Sequence, residues 1–212
     1  MTLSAIAAAI FGALLLTGCN TLERSRSVSN PAVSAVTIAQ QVCSNCHGVG
    51  GNAVSPNFPN LAAQPEPYFI AQLNGFKSHG RSDPAGFEYM WGLSKHLTDE
   101  QITGLAAYYA RQIPMPTWKS RRSPSVNVDG KKIFEEGIAA SSVPACKTCH
   151  GAQARGVATF PRLAGQHSDY VVKQLIVFQR TDERPEGSVM KGIAHQLTHE
   201  NMEAVAAYLE TL

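Results

Sequence analysis

The residues best equipped for chemistry form two short runs, Cys43-Ser44-Asn45-Cys46-His47-Gly48 and Cys146-Lys147-Thr148-Cys149-His150-Gly151, which lie 103 residues apart. Cys-x-x-Cys-His reads as an attachment site for c-type haem. Two thiols three positions apart on one helical turn can add across both vinyl groups of one haem. The adjacent imidazole then comes beneath the iron as its proximal ligand. Zinc would pair Cys-x-x-Cys with a second ligand pair and does not need a His directly beside it. A redox dithiol of the thioredoxin kind would sit in a βαβ context, and the flanking sequence has none. Two runs in register predict two covalent haems, one on Cys43, Cys46 and His47, the other on Cys146, Cys149 and His150.

The elements that must position these runs also repeat. Phe58-Pro59-Asn60-Leu61-Ala62-Ala63-Gln64 recurs as Phe160-Pro161-Arg162-Leu163-Ala164-Gly165-Gln166, and Tyr68, Gln72, Leu73 and Phe76 recur as Tyr170, Gln174, Leu175 and Phe178. Met90, Gly92, Leu97 and Thr98 recur as Met190, Gly192, Leu197 and Thr198, and Ala106-Ala107-Tyr108 as Ala206-Ala207-Tyr208. Two units of this length predict two similar domains, 36–116 and 127–212, joined by a linker at 117–126. Apolar spacing predicts an all-α fold: a helix over Val36–Cys43 with its counterpart over Gly130–Ala139, another from near Pro67 or Ser168, and a last one from Thr98 or Thr198. Thr98-Asp99-Glu100-Gln101 has the form of a capping box. Ile102, Leu105, Ala106 and Tyr109 then share one face, as do Met202, Val205, Ala206 and Leu209. No alternating strand pattern is present.

Of the five Met, only Met90 and Met190 occupy matching positions. Met115, in a proline-rich exit, and Met202, on an apolar face, read as packing. His79, His96, His167, His195 and His199 have no partners in register and read as surface or structural residues.

Composition bounds the alternatives. In 212 residues, 44% are hydrophobic and 16% charged, which is enough for a packed core and excludes wholesale disorder. A formal net charge of +2 supplies no basic stripe, so nucleic acid is not an expected partner.

With four of the five Cys in the motifs, Cys19 stands alone. The uncharged run Leu3–Thr17 suits the core of a signal peptide and is too short to span a bilayer. It ends Leu16-Thr17-Gly18-Cys19, which resembles the lipobox of bacterial lipoproteins. That resemblance implies removal of residues 1–18, lipidation of Cys19, and a polar tether over 19–35 that holds the folded part near a membrane. Asn20, where Asp would favour retention at the inner membrane, leans toward the outer one. One departure from such signals is the missing Lys or Arg ahead of the apolar run.

Over residues 36–212 the chain resembles the dihaem cytochrome c4 family. The likeness rests on the two motifs, Phe-Pro-Arg-Leu-Ala-Gly-Gln at 160–166, the Gln-Leu-x-x-Phe helices and the Met-to-Ala-Ala-Tyr endings. It implies two tandem class I cytochrome c domains, each a small helical bundle around one covalent haem, related by a pseudo-twofold axis. It implies Met90 and Met190 as distal ligands opposite His47 and His150. Pro59 and Pro161 become the prolines whose carbonyls accept the proximal imidazole Nδ1–H. Tyr68, Gln72, Tyr170 and Gln174 would face propionates or the inter-domain surface, and Arg81 and Arg184 would pair with propionates or stay solvated. With both axial positions filled, each iron suits one-electron transfer, so an electron carrier is expected, not an enzyme. Family membership further implies a periplasmic setting and redox protein partners: an oxidase, a cytochrome complex or a dehydrogenase. The competing readings are a dihaem subunit of a dehydrogenase complex and a haem enzyme such as a peroxidase or sulfur-compound dehydrogenase. Two features depart from the family: Ala63 stands where the second unit has Gly165, and the lipobox at Cys19 would not be expected of a freely diffusing carrier.

Overall fold

The computed structural model describes residues 26–116, 124–180 and 182–212. The signal segment 1–18, Cys19, and parts of the proposed tether and linker lie outside the described residues.

The described chain is helical, with no strand beyond two isolated bridges, Ile138 with Val143 and Val157 with Phe160. The first unit opens with α1 (Ala35–Ile38), capped by Ser34, whose hydroxyl accepts the Thr37 N–H at 3.1 Å. A π-helical turn over Ala39–Cys43 then feeds α2 (Ser44–His47). This wide turn ends on the first motif Cys, and such turns gather at functional sites. There follow α3 (Glu66–Lys77), α4 (Pro84–Ser94) and α5 (Asp99–Ala110). The second unit repeats the order with α6 (Pro124–Glu136), α7 (Lys147–His150), α8 (Ser168–Arg180), α9 (Ser188–Ala194) and α10 (His199–Glu210).

In each unit the last helix packs against the first helix and against the long central one, which also carries the short Met-bearing helix. The first and last helices cross closely: a Cβ on Gly104 would fall 2.6 Å from that of Ala35, and one on Gly130 2.0 Å from the Ala204 carbonyl oxygen. Ile102, Leu105, Ala106 and Tyr109 are buried, as are Met202, Val205, Ala206 and Leu209, so both last helices present the faces expected from the sequence.

The structure refines the sequence reading at several places. The helix expected over Gly130–Ala139 starts earlier, at Pro124, and stops at Glu136. Gly137 turns the chain at φ +78°, and Ile138 and Val143 then close a loop with reciprocal backbone hydrogen bonds of 2.9 and 3.1 Å. The second unit therefore interposes a loop between first helix and motif where the first unit runs straight in. Met90 and Met190 lie inside helices, α4 and α9, each directly before the last helix of its unit, where their matching places in the repeat put them. Ala63 adopts the left-handed backbone of Gly165 (φ 55° and 70°), and each N–H donates to the last helix of its own unit, to Tyr109 O and Leu209 O. The first unit accepts a cost of about 1–2 kcal/mol for a Cβ there.

Both capping boxes form. The Thr98 hydroxyl accepts the Gln101 N–H at 3.2 Å while Gln101 Oε1 accepts the Thr98 N–H at 3.0 Å. Gln101 does more: its buried Nε2 donates to Asn30 O at 3.0 Å and Val33 O at 2.9 Å, pinning the segment before α1. Gln101→Ala should lower unfolding stability by about 2 kcal/mol, the sum of a lost cap and orphaned carbonyls. Denaturant titration of the haem-loaded protein checks this.

Candidate functional site

Each motif His ends its short helix buried in the core. His47 Nδ1 lies 2.9 Å from Pro59 O, and His150 Nδ1 lies 3.0 Å from Pro161 O. A proline carbonyl can only accept, so Nδ1 carries the proton in both rings. The lone pair of each neutral imidazole is then on Nε2. Burial pushes both imidazole pKa values below the ordinary 6.5, with the carbonyl bonds opposing it, which keeps the rings neutral. Phe58 meets the His47 ring edge-on at 6.1 Å, and Phe160 meets His150 at 6.2 Å. Phe58 in turn meets Tyr89 on α4, the residue before Met90, at 6.1 Å.

All four motif thiols are free. Burial pushes the Cys43 thiol up to about 11 and the Cys146 thiol up to about 11. Among the described residues no three His, Cys, Asp or Glu side chains converge as a metal-ligating cluster, so zinc has no closed ligand set to use.

Met90 and Met190 are half-buried, each packed on the edge of its own unit's core. Two residues on, Gly92 and Gly192 sit within helices, and a Cβ on either would meet nothing within 4 Å. A helix-interior glycine costs about 1 kcal/mol against alanine, and no packing among the described residues accounts for these two. Apolar side chains stand uncovered beside the motif and the Met helix of each unit: Val49, Val54, Tyr89 and Leu93 in the first, Val157, Phe160 and Val189 in the second. Free thiols, an available Nε2 and uncovered apolar side chains together fit a covalently held haem in each unit.

The units meet through two layers of hydrogen bonds. In the first, Gln166 Oε1 accepts the Asn60 N–H at 2.8 Å and its Nε2 donates to Asn60 O at 3.0 Å. Gln64 does the same to Arg162, with 3.0 Å to the N–H and 2.8 Å to the carbonyl. Asn60 Nδ2 also donates to Gly165 O at 2.8 Å, and His167 Nε2 lies 2.9 Å from Ala53 O. In the second layer, Gln72 Oε1 accepts from Arg81 at 2.6 Å and from Arg184 at 2.9 Å. Gln174 Oε1 likewise accepts from both guanidiniums. Arg81 is also paired to Asp83 (2.7 Å) and Arg184 to Glu186 (3.0 Å). The arginines lie over the Phe76 and Phe178 rings, at 4.3 and 4.5 Å from their centroids. Burial pushes the Tyr68 phenol up, while Arg184 and Arg81 oppose it.

Arg81 and Arg184 are thus buried interface residues, which corrects the solvated alternative, and Gln72 and Gln174 join them there. Sequence reasoning missed Asp83, Asn60, Gln64, Gln166 and His167 as interface residues. The signal available for the glutamines was their place in the repeated Phe-Pro-x-Leu-Ala-x-Gln run. His79 is exposed and meets the Phe87 and Trp91 rings at a tilt, and His96, His195 and His199 are exposed too. Cys19 lies outside the described residues.

The family model described as Cytochrome c matches residues 32–110 and again 128–212. A cytochrome c-552 of Acidithiobacillus ferridurans is 37% identical over 96% of the chain and 86% of its own length. A thiosulfate dehydrogenase electron acceptor of Thiomonas intermedia is 31% identical, over 79% of the chain and 76% of its own. The solved structure of reduced cytochrome c4 from Pseudomonas stutzeri superposes with a TM-score of 0.75 at 32% identity, covering 84% of the chain and 99% of that protein.

Proposed function

The chain belongs to the cytochrome c family as a tandem two-haem electron-transfer protein of the c4 kind, and from that footing we propose that it is a periplasmic carrier anchored to a membrane, the outer one favoured, by lipid on Cys19. In this reading the domains run 36–116 and 127–212. Cys43 and Cys46 would hold one haem and Cys146 and Cys149 the other, with His47 and Met90 as ligands to the first iron and His150 and Met190 to the second. The bound haems supply reversible one-electron chemistry at iron.

The protein's own part is to hold the ligands and exclude exchange. Pro59 and Pro161 fix the imidazole tautomer that leaves Nε2 available, at 2.9 and 3.0 Å; this is the observation that carries the reading. Neutral rings at depressed pKa resist loss of the ligand to protonation as the pH falls. A thioether from Met90 or Met190 as second ligand would leave no position for peroxide or oxygen and would favour the reduced state. The partners in this reading are redox proteins, a respiratory donor on one side and a terminal oxidase or reductase on the other.

Anaerobic redox titration of the haem-loaded protein should resolve two one-electron, low-spin centres. A high-spin centre, or steady turnover of peroxide, would overturn the reading in favour of a haem enzyme. Cys19→Ser should move the protein from the membrane to the soluble fraction, and unchanged membrane retention would overturn the anchor.

A second reading, service as the dihaem electron acceptor of a dehydrogenase, draws on the likeness to the thiosulfate dehydrogenase electron acceptor of Thiomonas intermedia. Co-purification with a thiosulfate-oxidising activity from native membranes would favour it over a lone carrier.

A further inference from the structure

The crossed amide clamps do more than join the units. The N–H of Asn60 and the C=O of Pro59 belong to one peptide group. Gln166 Oε1 accepts that N–H at 2.8 Å, and the C=O accepts His47 Nδ1–H at 2.9 Å. The second unit repeats the chain: Gln64 Oε1 to the Arg162 N–H at 3.0 Å, then Pro161 O to His150 Nδ1 at 3.0 Å. The amide orientations are fixed, because each Nε2 donates to the carbonyl of the same residue, Gln166 to Asn60 and Gln64 to Arg162. Turning either amide would set donor against donor and acceptor against acceptor. All four side chains, His47, His150, Gln64 and Gln166, are buried, so water does not substitute.

A peptide whose N–H is hydrogen-bonded carries more negative charge on its oxygen, since such chains polarise one another. A stronger acceptor at Nδ1–H makes the imidazole a better donor to its metal, which favours the ferric state. We infer that Gln166 is a positioning residue that lowers the reduction potential of the haem held by the first unit, and that Gln64 does the same for the haem of the second. Each unit thereby tunes the iron of the other. This rests on the proposal that His47 and His150 are the iron ligands.

The test uses the haem-loaded protein and a readout of each haem separately. Potentiometric titration is followed through the ferric haem-methyl NMR signals, assigned to units by Overhauser contacts to residues unique to each. Gln166→Leu should raise the potential of the first-unit haem and leave the second nearly unchanged, and Gln64→Leu should do the reverse. The Nδ1–H resonance of the opposite unit's His should move upfield in both. Gln166→Glu, which keeps the acceptor and loses the donor, should hold the first-unit potential at or below its original value.

A shift confined to the variant's own haem, equal shifts in both, or no shift while both haems stay low-spin would overturn the inference. Should a Leu variant fail to load haem, Gln166→Glu decides: a raised first-unit potential overturns the proposal. A first-unit haem that stays low-spin in His47→Ala would instead overturn the ligand assignment, independently of the clamps.

Discussion

Met190→His should lower the potential of the second-unit haem by on the order of a few hundred millivolts, within the ~0.8 V range that axial ligands command. The first-unit potential should change little. On the ligation proposed above, the substitution replaces a thioether with a second imidazole. Thioether sulfur favours ferrous iron, whereas a nitrogen donor stabilises ferric iron, so the sign follows from ligand chemistry alone. Geometry leaves room for the exchange. Met190 is half-buried at the margin of its core on α9, and Gly192 beside it faces open space. Met202 supplies the contrast: it is 1% exposed, on the inner face of α10. Met202→Leu should leave both potentials in place and cost less than about 1.5 kcal/mol, as volume-conserving core changes do. Redox titration of the two variants side by side separates ligand from packing. If Met190→His moved neither potential, Met190 would not be the ligand.

The parts legible in the sequence were those encoded locally. A haem motif needs five adjacent residues, and a capping box needs Thr98 and Gln101 three positions apart. The last helices show their apolar faces at helical spacing, and those faces are the ones buried. The Met-bearing helix α4 was not legible. Its residues Pro84–Ser94 include two glycines, and Phe87, Tyr89, Met90, Trp91 and Leu93 crowd one stretch without helical period. Such a helix shows little one-sided patterning, and none of these five apolar side chains is fully buried.

The interface was hidden for a different reason. An arginine in a loop is ordinarily solvated, and nothing near Arg81 in sequence announces that Gln174, ninety-three residues away, will help desolvate it. The repeat did hold the clue, since Arg81 with Asp83 recurs as Arg184 with Glu186 at one offset. The loop Gly137–Ala145 was overlooked because a small net offset between repeats conceals compensating changes along the chain.

Arg81→Leu should destabilise the loaded protein by about 3–5 kcal/mol, the usual cost of removing one partner from a buried ion pair. Asp83, 1% exposed, would lose the Arg81 Nε donor it holds at 2.7 Å. Gln72 and Gln174 would each lose one of two guanidinium donors. Arg184→Leu should cost clearly less, although Arg184 itself is equally buried. Its carboxylate partner Glu186 has a side chain 29% exposed, so water can solvate what the lost guanidinium leaves behind. Pseudo-symmetry of sequence therefore does not carry over to energy, and the deciding quantity is the burial of the abandoned carboxylate. The double variant Arg81→Leu with Asp83→Leu should recover much of the loss, because apolar replacement of a whole buried pair is often neutral. Denaturant midpoints of the three proteins, measured with haem loading held equal, test the ordering. Equal costs for the two arginines would mean that the shared glutamines, and not the carboxylates, hold the guanidiniums in place.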